Sequence, residues 1–429
     1  MSQWSLTAKI RRYFSNNSVP PDQRLGREAI ISLIIHASFQ FGASMSGLFL
    51  NLYLWRLTQD FTINAVYNIV NFAMTPIAFA VGGYIAKKLD RMVVYRWGIL
   101  LSAAFYLLVI LAGETVPNYY IWFALLNGIS AGFYWTGYLI LQYDVSTDRN
   151  RVRYLAINMV TFNSAGLVGP ALAGSIIARM EGLQGYLFIF LIAFIMFVIS
   201  ALISTKIKAI ISHHKTYYLK YVGLVIKKNK LWFYSLCSFF IFGLFQGIML
   251  FLPNILLFQA LGREDLVGYF GVLFSGITVA TGYVISRKAQ KEQARKYIMY
   301  ATMCIIAASC LLVIDIKLWS VIIFMVVFSV CNPLTVNSMT SYFYRLISAL
   351  PLKGQLKVES VVMREAFLNS GRVLAIFILV LLASDLQSRW LAIVILLMAA
   401  AQSLILLFIR PEKFELDEKD AVEAKANSK

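Results

Sequence analysis

A chain of 429 residues that is 59% hydrophobic and only 14% charged, with a mean hydropathy of +0.71, departs from a water-soluble globule, which carries about 25% charged residues. The net charge of +18 does not point to nucleic acid, because the Lys and Arg residues stand in short clusters between long apolar runs instead of gathering on one soluble face. The useful ruler is the bilayer, at about 20 apolar residues per helical crossing.

A basic stretch with Lys9, Arg11, Arg12, Arg24 and Arg27 precedes the first apolar run, 29–54. That run is too long for the hydrophobic region of a signal peptide and reads as a retained first span. Further spans are predicted at 63–86, 93–113, 119–142, 155–178 and 184–204, then at 231–259, 264–286, 297–314, 318–342, 358–384 and 389–409. The chain thus divides into a segment 1–28, a six-helix half 29–205, a polar connector 206–230, a second six-helix half 231–409 and a charged tail 410–429. The tail, poor in aromatics, is expected to be disordered. Cys237, Cys304, Cys310 and Cys331 lie within apolar runs without a CxxC pair and read as small buried hydrophobes. His213-His214 reads as part of a solvated connector, so no metal site is expected.

The basic residues alternate with span number. Thirty-two lie on the side of the two ends and the connector; five, Arg56, Arg179, Arg263, Lys317 and Arg389, lie on the other. Only Arg364 and Arg372 fall inside a span. The excess marks the cytoplasmic side, so both termini are expected in the cytoplasm, with the chain multi-pass in an inner or plasma membrane.

Fragments recur about 200 residues apart, in order, on corresponding spans. Phe39-Gln-Phe41-Gly42 returns as Phe240-Ile-Phe242-Gly243, Gly83-Tyr84 with Lys87-Lys88 returns as Gly282-Tyr283 with Arg287-Lys288, and Asn163-Ser164 returns as Asn369-Ser370. Two parallel six-span repeats joined by a cytoplasmic loop follow. Polar side chains follow a period of three spans: spans three, six and nine have essentially no Asn, Gln, His or charge in their interiors, and span twelve has only Gln402; span eight, with only hydroxyls such as Ser275 and Thr278, breaks the trend. Since a polar side chain in hydrocarbon is costly, these four should face lipid while the other eight line a central path.

Along nearly its whole length this pattern resembles the major facilitator superfamily, and most closely its uncharacterised members from Bacillus-type bacteria. Gly166-Leu-Val-Gly169-Pro170-Ala-Leu-Ala-Gly174 in span five looks like the Gly-Pro-rich motif of many exporters, whose small residues permit close helix packing. Asp148-Arg149-Asn150-Arg151 is similar to the charged stretch the family places after span four. The loop after span two departs from the family pattern, with Lys87 where an Asp is expected before Asp90-Arg91, and span four has Asn127 rather than an Arg linked to proton coupling. The resemblance implies an all-α integral membrane fold of twelve helices in two pseudo-symmetric halves, acting as a transporter.

Span eleven carries the sharpest site signal. Arg372 lies 15 residues beyond Lys357, about 22 Å at 1.5 Å per residue, near the bilayer centre. Glu365 stands two turns earlier on the same face with Asn369 between them, which suggests an anion or headgroup site with a protonatable partner; a structural Glu–Arg link to a neighbouring helix is the alternative. Arg364 reads as snorkelling towards the surface. In span one His36, Gln40, Ser44, Gly47 and Asn51 share a face expected to line the cavity. Asn64, Asn68 and Asn71 in span two and Asn332 and Asn337 in span ten could bind substrate or bond between helices; Asn127, Asn163 and Gln246 join the candidate substrate or coupling residues, as does Tyr134 in span four, for which lipid-interface or packing contact is the alternative. The loop residues Gly83, Lys87, Lys88, Asp90, Arg91, Arg149 and Arg151 are expected to latch a cytoplasmic gate, and Gly166, Gly169, Pro170 and Gly174 to pack helices.

No P-loop, HExxH or Gly-x-Ser-x-Gly is present, so neither ATP drive nor hydrolytic chemistry is indicated. The expectation is alternating-access secondary transport of a small solute, by efflux, without cofactor and as a monomer. The partners would be the bilayer, a small-molecule or lipid substrate, and protons or another coupling ion. Lipid or glycolipid flipping, or a non-transporting receptor or scaffold of the same fold, are the alternatives. A lipid-modifying membrane enzyme would need a cluster of acids or histidines that is not visible.

Overall fold

The computed structural model describes residues 24–147, 150–208, 216–288, 293–348, 350, 356–383 and 388–409. Among them there is no strand, and twelve helical segments cross the molecule from end to end. In the first half these are α1 (Arg27–Thr58), α2 (Phe61–Lys88), α3 (Arg91–Ala112), α4 (Tyr120–Asp144), α5 (Arg151–Ile177) and α6 (Gln184–Ser204). In the second they are α7 (Lys230–Met249, continued by Leu252–Leu261), α8 (Glu264–Lys288), α9 (Ala294–Ile314), α10 (Leu318–Ser348), α11 (Lys357–Leu382) and α12 (Arg389–Ala401, continued through Phe408). The apolar stretch from Arg91 to Gln142 is one run of 52 residues, about 78 Å and well over twice a bilayer core. It is two crossings because the 3-10 turn Gly113–Tyr119 reverses the chain, and Gly98 of α3 then lies against the backbone of Tyr134 on α4.

The helix ends are marked chemically. The Asp60 carboxylate accepts from the Thr62 N–H at 2.7 Å and starts α2, and the Asn229 side chain does the same for α7 through Trp232 N–H at 3.1 Å. Such caps satisfy donors that the first helical turn leaves open. Gly262, with φ +67°, ends the outer segment of α7 in the left-handed conformation that glycine adopts without a Cβ penalty. The main departures from the sequence reading are at ends: α10 runs six residues past its expected boundary, and span seven is interrupted at Leu250-Phe251. Pro170 and Pro333 sit within continuous helices.

Within the first half α1 packs on α5 and α6, and α4 on α2 and α3; within the second α7 packs on α11, and α10 on α8 and α9. The halves meet along two seams, α2 with α11 and α5 with α8. The helices α3, α6, α9 and α12 take part in neither seam. Their outer faces present Leu111, Leu202, Met303 and Leu407, each at least 61% exposed, an apolar exterior that lipid rather than water requires. Cys304 and Cys310 lie on this exposed surface, which corrects the reading of all four cysteines as buried.

Glycines set the close approaches. Gly128 and Gly132 of α4 lie on the Asn71 and Thr75 carbonyls of α2, and Gly243 and Gly247 of α7 lie on the backbone of Leu368 and Arg372 in α11. Both pairs are GxxxG spacings, which let helix backbones touch and gain dispersion contacts that lipid does not offer. α7 is thereby fixed against the part of α11 that carries the buried charges.

Candidate functional site

The charged residues of α11 are joined in one string. The Arg372 guanidinium donates to Gln246 Oε1 of α7 at 2.6 and 3.1 Å, and to Asn369 Oδ1 at 2.9 Å. Asn369 Nδ2 donates to the Glu365 carbonyl at 2.8 Å and approaches its carboxylate at 3.4 Å. The Glu365 carboxylate is taken by Arg364 at 2.6 Å. Arg372 therefore meets only neutral amide oxygens, with no carboxylate within ion-pair distance among the described residues. Its remaining face lies over the Phe72 ring of α2, 5.1 Å from the centroid, so it is held by α7 and α11 but faces the opposite half. A guanidinium there keeps donor capacity for a planar anion, which a carboxylate or phosphate oxygen pair fits.

Two expectations change here. Glu365 pairs with its neighbour Arg364 and reaches Arg372 only through Asn369. Arg364 does not snorkel: it turns inward over the rings of Phe239 and Phe343, at 5.8 and 5.9 Å. The reason is proximity, since Glu365 is the carboxylate within reach of Arg364, and the pair leaves water together.

Most of the polar face of α1 is turned into its own half, and of its five residues Gly47 is the exposed one, with open space beside it. His36 Nδ1 shares a hydrogen bond with the Tyr134 hydroxyl at 2.7 Å, and its ring stacks on Tyr138 with centroids 3.9 Å apart. His36 and Tyr134 are both essentially unexposed, packed with Phe39 and Tyr95. Tyr134 is thus a packing residue and His36 a bonded one. Gln40 is buried with its Nε2 unpartnered, and Ser44 donates to the Ala165 carbonyl of α5 at 2.8 Å. Asn51 clamps α1 to α2, accepting from Asn68 at 2.9 Å through its side chain and from Asn64 at 2.7 Å through its carbonyl. Asn127 donates to the Tyr67 hydroxyl at 3.1 Å, again inside one half. Asn163 and Asn332 are half-exposed and Asn337 exposed; none of them joins the Arg372 string.

At the end that carries the basic clusters, the two halves are tied by Lys87 of α2 and Glu359 of α11, whose side chains form a buried ion pair. Glu359 also accepts from the Tyr218 backbone N–H at 2.9 Å, and Lys87 donates to the Thr216 carbonyl at 3.2 Å. The connector is therefore part of the tie. Tyr217 lies over Gly83 and donates to the Ala80 carbonyl at 3.1 Å. Burial pushes its phenol pKa up, and the Glu359 carboxylate adds to the rise. Of the expected gate residues, Gly83 and Lys87 thus cross between halves. Lys88 stays over Tyr84 of its own helix at 5.7 Å, and Arg91 binds Asp144 of α4 at 2.8 Å, so neither latches the halves. Asp90 is buried with both carboxylate oxygens unpartnered. Arg149 and the side chain of Arg151 lie outside the described residues, as do His213, His214 and the 410–429 tail.

At the other end the α5–α8 seam is closed by backbone. A Cβ on Gly174 would stand 2.8 Å from the Glu264 carbonyl and 3.2 Å from Gly268 Cα, and one on Gly268 2.6 Å from the Pro170 carbonyl. Gly169 packs instead on Ser44 and Met45 of α1, and Gly166 faces open space, so it drops out of the packing motif. Arg56 of α1 adds an ion pair to Glu264 of α8 at 3.3 Å, and Phe61 faces Phe251. Towards the basic end the seam loosens: Gly276 and Gly282 of α8 meet only the side-chain tips of Leu167 and Met159.

Sequence reasoning missed Phe72, Glu359, Tyr217 and the two GxxxG pairs. The GxxxG spacings were legible. Phe72 and Glu359 carry no local signal, because their role depends on what the opposite helix presents.

The Major Facilitator Superfamily profile matches residues 33–351. The uncharacterised protein YqgE of Bacillus subtilis (strain 168) is 29% identical over 366 residues, 85% of either chain. An uncharacterised protein in the sodM 3′ region of Geobacillus stearothermophilus is 35% identical over 169 residues, 39% of this chain and 79% of that one. Among solved structures, the D-xylose–proton symporter superposes with a TM-score of 0.66 at 12% identity, covering 89% of this chain and 98% of that one.

Proposed function

The chain belongs to the major facilitator superfamily of membrane transporters, and we propose that it is a secondary transporter whose substrate carries an anionic group bound by Arg372. One observation carries this reading: a guanidinium near the middle of the membrane-crossing stack, satisfied on one side by Gln246 and Asn369 and facing the opposite half across Phe72. An intramembrane charge is functional by default because holding it there is costly. Alternating access then has a physical form. Rocking of the halves changes what Phe72 presents to Arg372, while α7 and α11 keep the Arg372 cradle intact.

We place the basic end in the cytoplasm of an inner or plasma membrane, on the 32-to-five split of Lys and Arg. The α5–α8 seam is backbone-tight at the other end and looser at the basic end, where the Lys87–Glu359 pair on the α2–α11 seam holds the halves together. The direction we propose is efflux, supported by the Gly-Pro-rich stretch of α5, in which Gly169, Pro170 and Gly174 make the close contacts. The Arg364–Glu365 pair is the candidate coupling group, since a proton on Glu365 would free Arg364 and loosen Asn369.

The test is transport by the full chain in liposomes under an imposed proton gradient, against a panel of small organic acids, phosphates and neutral solutes. Transport of an anion that falls by about 100-fold in Arg372→Gln, with the melting temperature kept, is the expected result; mid-site charge-assisted bonds are worth about 1.5–3 kcal/mol. An Arg372→Gln protein that moves the same substrate at the wild-type rate removes Arg372 from the site.

A further inference from the structure

A groove of about 360 Å³ lies on the α2–α11 seam. Its walls are Phe72, Ala73 and Pro76 of α2 and Val373, Leu374 and Phe377 of α11, with Asn369 and Ser370 as the polar residues. Its outer rim faces the surroundings of the bundle: Leu374 and Phe377 are 41% and 52% exposed, and Ile77, beside Pro76 on α2, is 54% exposed. On α2 these exposed positions point away from α4, which Asn71 and Thr75 of the same helix contact. On α11 they point away from α7, which Leu368 and Arg372 contact. The groove thus opens sideways into the apolar zone and not into the path between the halves. It lies 11 residues into α2 at Phe72, about 17 Å along the helix and close to mid-depth.

The inner wall of this groove is the outer wall of the Arg372 site. Phe72 lines the groove and lies over the guanidinium. Asn369 lines it too, is fully buried, and accepts from Arg372. Two side chains therefore separate an apolar slot in the lipid zone from a cation with spare donor capacity. A soluble solute needs no such slot, whereas a membrane-resident molecule with an apolar tail and an anionic head matches both parts.

We propose that this groove is a lateral portal for the acyl chain of an anionic amphiphile drawn from the bilayer, with its headgroup reaching Arg372 when the Phe72 ring swings aside. The proposal rests on the Arg372 reading above and narrows its substrate to amphiphiles with a phosphate- or carboxylate-like head. Ala73 and Val373 act as specificity residues for the tail, since they touch the groove and take no part in the Arg372 bonds.

The test uses the full chain in phosphatidylcholine nanodiscs, with thermal stabilisation by hexadecyl phosphate compared with that by glycerol phosphate. A ligand that binds the folded state alone raises the melting temperature by mass action. The expected result is stabilisation by hexadecyl phosphate whose half-maximal concentration rises at least tenfold in Ala73→Trp and in Val373→Trp, on opposite walls. Glycerol phosphate should act equally on wild type and both tryptophan variants, and Arg372→Gln should lose both probes. Hexadecyl phosphate binding unchanged in both tryptophan variants overturns the portal and leaves the Arg372 site standing. No stabilisation of wild type by either probe, or full retention of both in Arg372→Gln, overturns the portal and the anion site together. A tryptophan variant that also loses glycerol phosphate has disturbed the site itself, and the variant on the other wall then decides.

Discussion

Along α5 and α8 the halves touch through backbone: Gly174 and Gly268 leave no room for a Cβ, and Pro170 offers its carbonyl to the facing glycine. Along α2 and α11 they touch through charge and aromatic surface: Lys87 on Glu359 at the basic end, Phe72 over Arg372 in the middle, and a lateral groove beside it. A glycine seam gains dispersion energy from a fit that is lost steeply with separation. A buried ion pair is harder to judge, because its desolvation offsets much of its attraction, yet removing one partner strands the other. The first kind of seam should respond to volume, the second to charge and to substrate.

The largest effect should come from Lys87→Met, which leaves Glu359 buried beside only a backbone N–H. The cost is about 3–5 kcal/mol, seen as a widened distance between spin labels at Leu89, just after α2, and Lys227, in the connector helix that packs on α7. The double variant Lys87→Met/Glu359→Leu should recover most of that closure, and a charge swap of Lys87→Glu with Glu359→Lys should recover part of it. A double variant as open as the single one would show that the ion pair is not the tie.

Next is volume on the other seam. Gly174→Leu or Gly268→Leu forces backbones apart at a cost of about 1–3 kcal/mol. Cysteine accessibility along the outer third of α8 should rise while the Leu89–Lys227 distance stays put. If the basic end changes instead, the seams are not independent as drawn.

The smallest effect belongs to Arg56, whose side chain is 34% exposed in its pair with Glu264. Arg56→Gln should shift stability by about 0.2–1 kcal/mol, and the shift should shrink in 1 M salt, where the screening length is about 3 Å. The Lys87–Glu359 tie, buried and short of solvent, should keep its strength in the same salt series.

Much of this molecule is legible in one dimension. Crossing count, the six-plus-six division and the choice of α3, α6, α9 and α12 as outer helices follow from where apolar runs and polar residues fall. They are legible because lipid imposes one local condition on each segment: bond the backbone internally and keep charge out. Arg372 and Asn369 were legible as site candidates for the same reason, as charge where charge is costly. The substitution of Lys87 for an expected Asp was visible too. Its meaning was not, since the matching carboxylate, Glu359, sits 272 positions away.

Partner choice is what the tertiary structure decided. His36, Gln40, Asn51 and Tyr134 have the composition of a cavity lining, but α1 packs on α5 and α6, His36 bonds Tyr134 of α4, and Asn51 is taken by the asparagines of α2. Glu365 and Arg372 share a helix face, but Arg364 claims the carboxylate and leaves the guanidinium to amides. Gly166 and Gly174 belong to one motif, but only Gly174 meets α8. Which segments cross and which residues are costly to bury can be read from the residues alone, because both depend on each segment and its solvent. Only the fold decided which polar group satisfies which, because hydrogen bonds and ion pairs act over about 3 Å and the groups they join come from helices far apart in the chain.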